Sequence, residues 1–296
     1  MEWFIFALLA PILWSGCNVI DKFLLEKYIK DPISYQVLIC FFDIMSIIII
    51  LLFSSVSWNI YVFFLGMIIG LLGVIATTLY NKSMIDEEAS RVVPLVYLDS
   101  IFVVILAYMF LGEVFNFQKY LGIIFIVIGG ILISFKKIVK KWHFSSVVKF
   151  ILVAGFLWAI SSVISKYTLN FTDYVSLTAL QMLGYVIFGP LFLLSNKVRS
   201  NFLSYMKKFD RKIFLLIIAT LIYLVGVLSF YYAASIGSIS LVYTIVSTQP
   251  FFIFVYTVII TKIAPGIIKE GIDRSTILLK IIAICLIFLG TFFIGS

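Results

Sequence analysis

The chain has 296 residues and a formal charge of +8, with 63% hydrophobic and only 12% charged residues, against roughly a quarter charged in a soluble domain. No soluble core can hide that much apolar surface, so ordinary soluble enzymes and binding modules are excluded and the bilayer must act as solvent. Neither a separate soluble domain nor a nucleic-acid-binding role is indicated, because the basic excess sits in short connectors, where anionic lipid headgroups account for it.

A helix crosses the hydrocarbon with roughly 20 apolar residues, and about ten such stretches fit along this chain. Alternating barrel patterning is absent, so the apolar stretches are read as helices, the form that satisfies its own backbone groups in lipid. The patterning places spans at roughly 3–24, 33–54, 61–81, 90–111, 118–135, 147–167, 174–195, 213–235, 239–261 and 277–294, with ends uncertain by a few residues. Only Met1 and Glu2 precede the first run, without a basic leader or a cleavage site after it, so it is expected to be a retained first helix. The longest connectors are Lys136 to Ser146, Asn196 to Lys212 and Lys262 to Thr276.

Of the 22 lysines and arginines, all but Lys119 and Lys166 fall on the connectors that follow odd-numbered spans. The positive-inside rule then puts those connectors in the cytoplasm and both termini outside. Cys17, Cys40 and Cys285 lie inside apolar runs without metal-binding or disulfide spacing, and the single histidine, His143, sits in a basic connector beside Trp142. No metal or other cofactor is expected.

The run Leu13-Trp14-Ser15-Gly16-Cys17-Asn18-Val19-Ile20-Asp21-Lys22 returns 144 residues later as Leu157-Trp158-Ala159-Ile160-Ser161-Ser162-Val163-Ile164-Ser165-Lys166, with five of ten positions identical. Gln36 recurs as Gln181, Ser83 and Ser90 have echoes in Ser235 and Ser240, and Gly122 to Gly129 resembles Ala283 to Gly290. Because each half carries an odd number of spans, the second begins on the opposite side of the membrane. The expected fold is therefore all-α and integral to the membrane, with ten transmembrane helices as two inverted five-helix repeats, residues 1–141 and 142–296, around a central cavity. Such repeats are a common plan of secondary transporters, whose sites lie near the midplane between the halves.

Trp14-Ser15-Gly16 with Asn18 and Lys22, Pro94 to Leu106 running into Phe110-Leu111-Gly112-Glu113, and Leu121-Gly122 through Gly130 resemble the EamA-type domain of the drug/metabolite transporter superfamily. The second half repeats the pattern more loosely through Trp158 to Lys166, Gln249-Pro250-Phe251 and Phe288-Leu289-Gly290. Where a second Leu-Gly-Glu would stand, the chain has Thr261-Lys262-Ile263, so Glu113 reads as a helix-end feature of one repeat rather than a symmetric part of the site. The resemblance implies a transporter or exporter of amino acids, other metabolites or drugs, with spans 5 and 10 at the periphery.

Candidate site residues follow from polarity at membrane depth. Asp99 lies inside span 4, where a carboxylate costs on the order of 3 kcal/mol on insertion scales and so must meet a cavity or partners. It is either a proton-coupling or cation-binding group, or a structural acceptor for Ser100, Tyr97 or a neighbouring helix. Asp43, seven residues after Gln36, shares that residue's helix face and has no acidic counterpart, since Phe188 stands at the related position. Asn18 with Lys22 and Ser162 with Lys166 form equivalent i, i+4 stripes, with snorkelling to headgroups the competing reading of both lysines. In span 9, Ser240, Tyr243, Thr244, Ser247, Thr248 and Gln249 form a polar band leading to Pro250, either lining a cavity or joining helices. Gln36, Tyr97, Gln181 and the aromatics Trp14 and Trp158 complete the candidate wall. Gly66, Gly70 and Gly73 read as a close-packing face.

These features point to a secondary transporter in the plasma membrane, an exporter of a small polar metabolite such as an amino acid, with proton coupling through Asp99 as a further expectation. A flippase for a lipid-linked sugar is the alternative within transport, and an intramembrane enzyme or a scaffold the alternative outside it. The chain lacks a P-loop, HxxxH or GxSxG pattern, which disfavours ATP-driven pumping and enzymatic catalysis.

Overall fold

The computed structural model describes residues 2–57, 59–86, 98–134, 146–207, 211–263 and 274–295. Ser90, Pro94, Tyr97, Trp142, His143 and the expected boundary between the halves lie outside the described residues. The described elements are α1 Glu2–Lys27, α2 Pro32–Phe53, α3 Ile60–Asp86, α4 Asp99–Leu111, α5 Phe117–Ser134, α6 Ser146–Thr168, α7 Tyr174–Phe188, a 3-10 turn Gly189–Leu194, α8 Asn196–Lys207, α9 Arg211–Ile236, α10 Ile239–Val246, α11 Gln249–Ile263 and α12 Arg274–Gly295. No strand occurs among them.

Seven helical stretches are long and apolar enough to cross a membrane, the stretch over α10 and α11 counted as one, and α4, α5 and α12 contain shorter apolar helices. Large apolar side chains such as Ile48, Leu51, Ile105, Met109 and Phe292 point outward and stay exposed, as a lipid-facing surface requires. Two helix starts are set by the same device. Asp31 accepts from the Ser34 amide at 3.2 Å, with Pro32 at the first position where no amide is needed. Asp173 accepts from the Val175 and Ser176 amides, both at 2.9 Å.

The structure departs from uninterrupted spans at two prolines. Pro190 cannot donate to a continuing helix, and α7 gives way at Gly189 to the 3-10 turn. Pro250 likewise removes an amide donor from what would be one helix over 239–261, and the chain breaks between Val246 and Gln249. There Thr248 donates to the Ile245 carbonyl at 3.0 Å and Phe251 to the Thr248 carbonyl at 2.9 Å. The connector after span 7 is also not plain loop. It forms the amphipathic α8, which carries Lys197, Arg199 and Lys207 and lays Phe202, Tyr205 and Met206 against a cluster of Leu24, Tyr35, Leu38 and Leu216. An amphipathic helix of this kind suits the membrane interface.

The helices of the two halves of the chain interleave. α1 packs on α9, α10 and α11, α2 on α7, α3 on α6 and α7, α4 on α6, and α5 on α12. Glycines permit the closest approaches. A Cβ on Gly70 would lie 2.7 Å from Cα of Gly184 in α7, and one on Gly122 would lie 2.8 Å from the Gly290 carbonyl oxygen in α12. Gly66 and Gly70 thus face α7, as close-packing residues. Gly70→Val should lower the unfolding temperature of the detergent-solubilised protein, because overpacking costs about 1–3 kcal/mol. Gly16→Ala, whose new Cβ would meet its nearest neighbour at 4.0 Å, should leave it almost unchanged. Equal melting of wild type and Gly70→Val would refute this account of the α3–α7 contact.

Candidate functional site

A cavity of about 250 Å³ lies among the helices, lined by residues of α1, α2, α3, α4, α6, α7, α9, α10 and α11. On α1 the lining residues Trp14, Cys17, Asn18 and Asp21 fall at i, i+3, i+4 and i+7, and on α6 Trp158, Ser161, Ser162 and Ser165 repeat that spacing. Each set is one helical stripe. α3 adds Thr77, Tyr80 and Asn81, and α9 adds Thr220, Tyr223, Phe230 and Tyr231.

A hydrogen-bonded network fixes the wall. Tyr231 donates to Gln181 Oε1 at 2.6 Å, Gln181 Nε2 donates to the Tyr185 hydroxyl at 2.8 Å, and the Ser165 and Tyr231 hydroxyls lie 3.1 Å apart. Asn81 donates to Gln36 Oε1 at 3.3 Å, joining α3 to α2. Tyr35 donates to Asp21 at 2.5 Å. Asp99 accepts from the Tyr243 hydroxyl at 3.0 Å, with the Ser100 hydroxyl at 3.4 Å, and Ser100 is in turn bonded to Ser247 at the α10–α11 break. Of the partners considered for Asp99, Ser100 and a neighbouring helix are therefore both present. Asp99, Ser165, Tyr231 and Tyr243 are buried, whereas Asn18, Asp21, Thr77 and Tyr80 are partly exposed. The cavity is thus more accessible at the end where α1 and α3 terminate.

The structure gathers Trp14, Asn18, Gln36, Asp99, Trp158, Ser162, Gln181, Tyr243 and Ser247 on this wall. Tyr97 lies outside the described residues. Five candidates lie off this wall. Thr244 is turned away from Tyr243 and returns its hydroxyl to the Ser240 carbonyl at 2.7 Å, while Thr248 bonds the Ile245 carbonyl at 2.7 Å within the break. Lys22 is not a lining residue, because the α1 stripe continues from Asn18 to Asp21 at i+3 rather than to i+4. Lys166 is likewise passed over in favour of Ser165, and its ammonium is held elsewhere. Asp43 shares a face with Gln36 but lies two turns further along α2, beyond the cavity and beside Cys40, Tyr185 and Tyr223. It is fully buried, and neither of its oxygens has a hydrogen-bond partner among the described residues.

Sequence reasoning missed Asp21, Tyr80, Asn81, Tyr185, Tyr223 and Tyr231. Asp21 was legible as an acidic residue on the Trp14–Asn18 face, and Tyr185 as the i+4 neighbour of Gln181. The tyrosines of α9 carried no signal separating them from interface anchors.

A model of the EamA-like transporter family matches residues 1–135 and 145–296. The chain belongs to that family. It is accordingly a membrane transporter of the drug/metabolite transporter superfamily. A solved structure titled "Crystal structure of protein" is similar over 97% of this chain and 96% of its own, with a TM-score of 0.69 at 13% identity, a likeness that concerns fold alone. No curated protein matches the sequence.

In this EamA-family chain the Leu111-Gly112-Glu113 segment has a structural task. α4 ends at Leu111, Gly112 takes the left-handed conformation at φ 67°, and Glu113 is thereby presented to the start of α10. Its carboxylate accepts from the Ile239 and Ser240 amides at 2.8 and 3.0 Å. Lys166 grips the other side of the same turn, donating to the Ala234 and Gly237 carbonyls at 2.6 and 2.8 Å. An anion at a helix start and a cation at a helix end both complement the helix dipole. Lys119 and Lys166, the two basic residues that loop parity set apart, share this polar hollow with Glu113. Glu113→Ala should speed hydrogen exchange at the Ile239 and Ser240 amides on the order of tenfold, the loss of a cap being about 1 kcal/mol or more. Unchanged protection of that peptide would remove Glu113 from this role.

Proposed function

We propose that this protein is a secondary transporter, working as an exporter of a small polar metabolite, built from two inverted five-helix repeats over 1–141 and 142–296. The observation that carries the reading is the central cavity walled by matching stripes of α1 and α6. The packing pairs support the repeat: α1 meets α9, α10 and α11 as α6 meets α3 and α4, while α2 pairs with α7 and α5 with α12. The interval between the two stretches matched by the family model spans the proposed boundary. A cavity of about 250 Å³ favours a small solute over a lipid-linked sugar.

The orientation follows from charge: the basic connectors are cytoplasmic in the plasma membrane and both termini extracytoplasmic. In that frame the cavity is accessible from the cytoplasmic end, and the turn held by Glu113 and Lys166 lies on the outer side, an arrangement suited to loading an exporter. An alkaline phosphatase fused after Ser296 should be active and a green fluorescent protein dark. A bright fluorescent fusion would reverse the orientation while leaving the helix count intact.

Asp99 is the proposed coupling group, since it lines the cavity and bridges α4 to the α10–α11 break, whereas Asp43 lies behind the wall. In proteoliposomes Asp99→Asn should abolish accumulation driven by a pH gradient while exchange at saturating substrate persists, because exchange need not release the proton. Full pH-driven accumulation by Asp99→Asn at normal expression would move coupling to Asp43 or show uncoupled facilitation.

A further inference from the structure

We propose that the substrate is a small organic cation, an amine or methylated ammonium, recognised by the aromatic faces and carboxylates of the central cavity. This rests on the transport reading and narrows its substrate class.

The cavity contains two carboxylates, Asp21 and Asp99, and no lysine or arginine among its described lining residues. Tyr35 and Tyr243 donate phenolic hydroxyls to them, and neither donor is a cation that would neutralise an ionised carboxylate. Three described lysines on the helices are engaged outside the cavity. Lys166 is held by the Ala234 and Gly237 carbonyls, Lys82 lies 4.8 Å from the Phe150 ring centre, and Lys280 lies 3.8 Å from that of Phe254.

Aromatic rings form the remaining recognition surface. Trp14 stacks on Tyr223 with centroids 5.9 Å apart, and Tyr80 meets Trp158 at 5.6 Å. Ring faces carry negative quadrupole density and attract ammonium groups, more strongly where water is excluded. A cavity with acidic groups, ring faces and no basic side chain among its described lining residues therefore attracts a cation and repels an anion. Among the described lining residues a zwitterion finds nothing basic for its carboxylate. The same features let one solute bind at either carboxylate as it passes from the partly exposed Asp21 to the buried Asp99.

The test compares three probes of similar size in proteoliposomes: benzyltrimethylammonium, phenylalanine and phenylacetate, each followed by counterflow. Binding to the purified protein is read in parallel from quenching of tryptophan fluorescence. Benzyltrimethylammonium should be exchanged and phenylacetate should not, and Asp21→Asn and Asp99→Asn should each raise its half-saturating concentration tenfold or more. Asp21 is partly exposed, so its variant guards against misfolding of the more buried Asp99→Asn, and Ile287→Val on α12 serves as a control outside the cavity. Counterflow of phenylalanine or phenylacetate without benzyltrimethylammonium would overturn the cation inference and leave the transport reading standing. Binding of benzyltrimethylammonium that depends on Asp21, with no flux of any probe, would keep the cation site and overturn the transport reading. Absence of benzyltrimethylammonium binding, or binding indifferent to both aspartate substitutions, would overturn the inference.

Discussion

Every backbone N–H and C=O carried into hydrocarbon must find its partner within the protein, and this constraint governs the whole structure. It makes the spanning elements helices, and it allows an irregular backbone at membrane depth only where protein or a cavity surrounds it. The break between α10 and α11 shows the rule in operation. Pro250 removes a donor, the chain turns through Ser247 and Thr248, and local hydrogen bonds to Tyr243, Thr244 and Ile245 satisfy the amides that leave the helix. Ser15 of α1 adds a bond to the Gln249 carbonyl at 3.1 Å. Tyr243 and Ser247 are positioned by that break to meet Asp99 and Ser100, so a backbone irregularity ties α4 to the second half of the chain.

The two halves are alike in how they pack and unlike in their charges. Matching tryptophans and polar stripes on α1 and α6 face one cavity, but Asp21 stands on α1 where Ser165 stands on α6. Glu113 has no acidic equivalent at Thr261-Lys262-Ile263, and Asp43 none at Phe188. The acidic groups concentrated in the first half give the cavity one sign of charge. The paired Glu113 and Lys166 contacts stiffen the turn between α9 and α10, at the opposite end from the partly exposed Asp21 and Tyr80. A transporter needs its two ends to differ in stability at any moment, and unequal helix-end contacts provide such a difference.

Glycine and aromatic residues divide the remaining work. Gly70 with Gly184, and Gly122 with Gly290, let backbones approach closely at contacts away from the polar stripes, a common packing device where lipid supplies no hydrophobic drive between helices. At Gly226 the missing Cβ makes room for the Trp14 indole. Trp14 can then lie beside Tyr223 and Phe230 on the cavity wall. Small residues on α9 thus decide where a large residue on α1 presents its ring.

Composition and hydropathy by themselves determined an all-helical membrane protein, because the length and continuity of apolar runs are local properties. The duplicated Trp14 and Trp158 motifs marked α1 and α6 as related helices, and polarity at membrane depth singled out Asn18, Gln36, Asp99, Ser162 and Gln181. Periodicity could not choose between i+3 and i+4 at the ends of the α1 and α6 stripes, so Lys22 and Lys166 stood in for Asp21 and Ser165. That choice depends on the angle at which α1 meets α9 and α6 meets α3. Only the tertiary structure decided it, together with the burial of Asp43 behind Tyr185 and the capture of Lys166 by the end of α9. Each of these facts is a relation between side chains far apart in sequence, set by helix rotation and crossing that no single helix encodes.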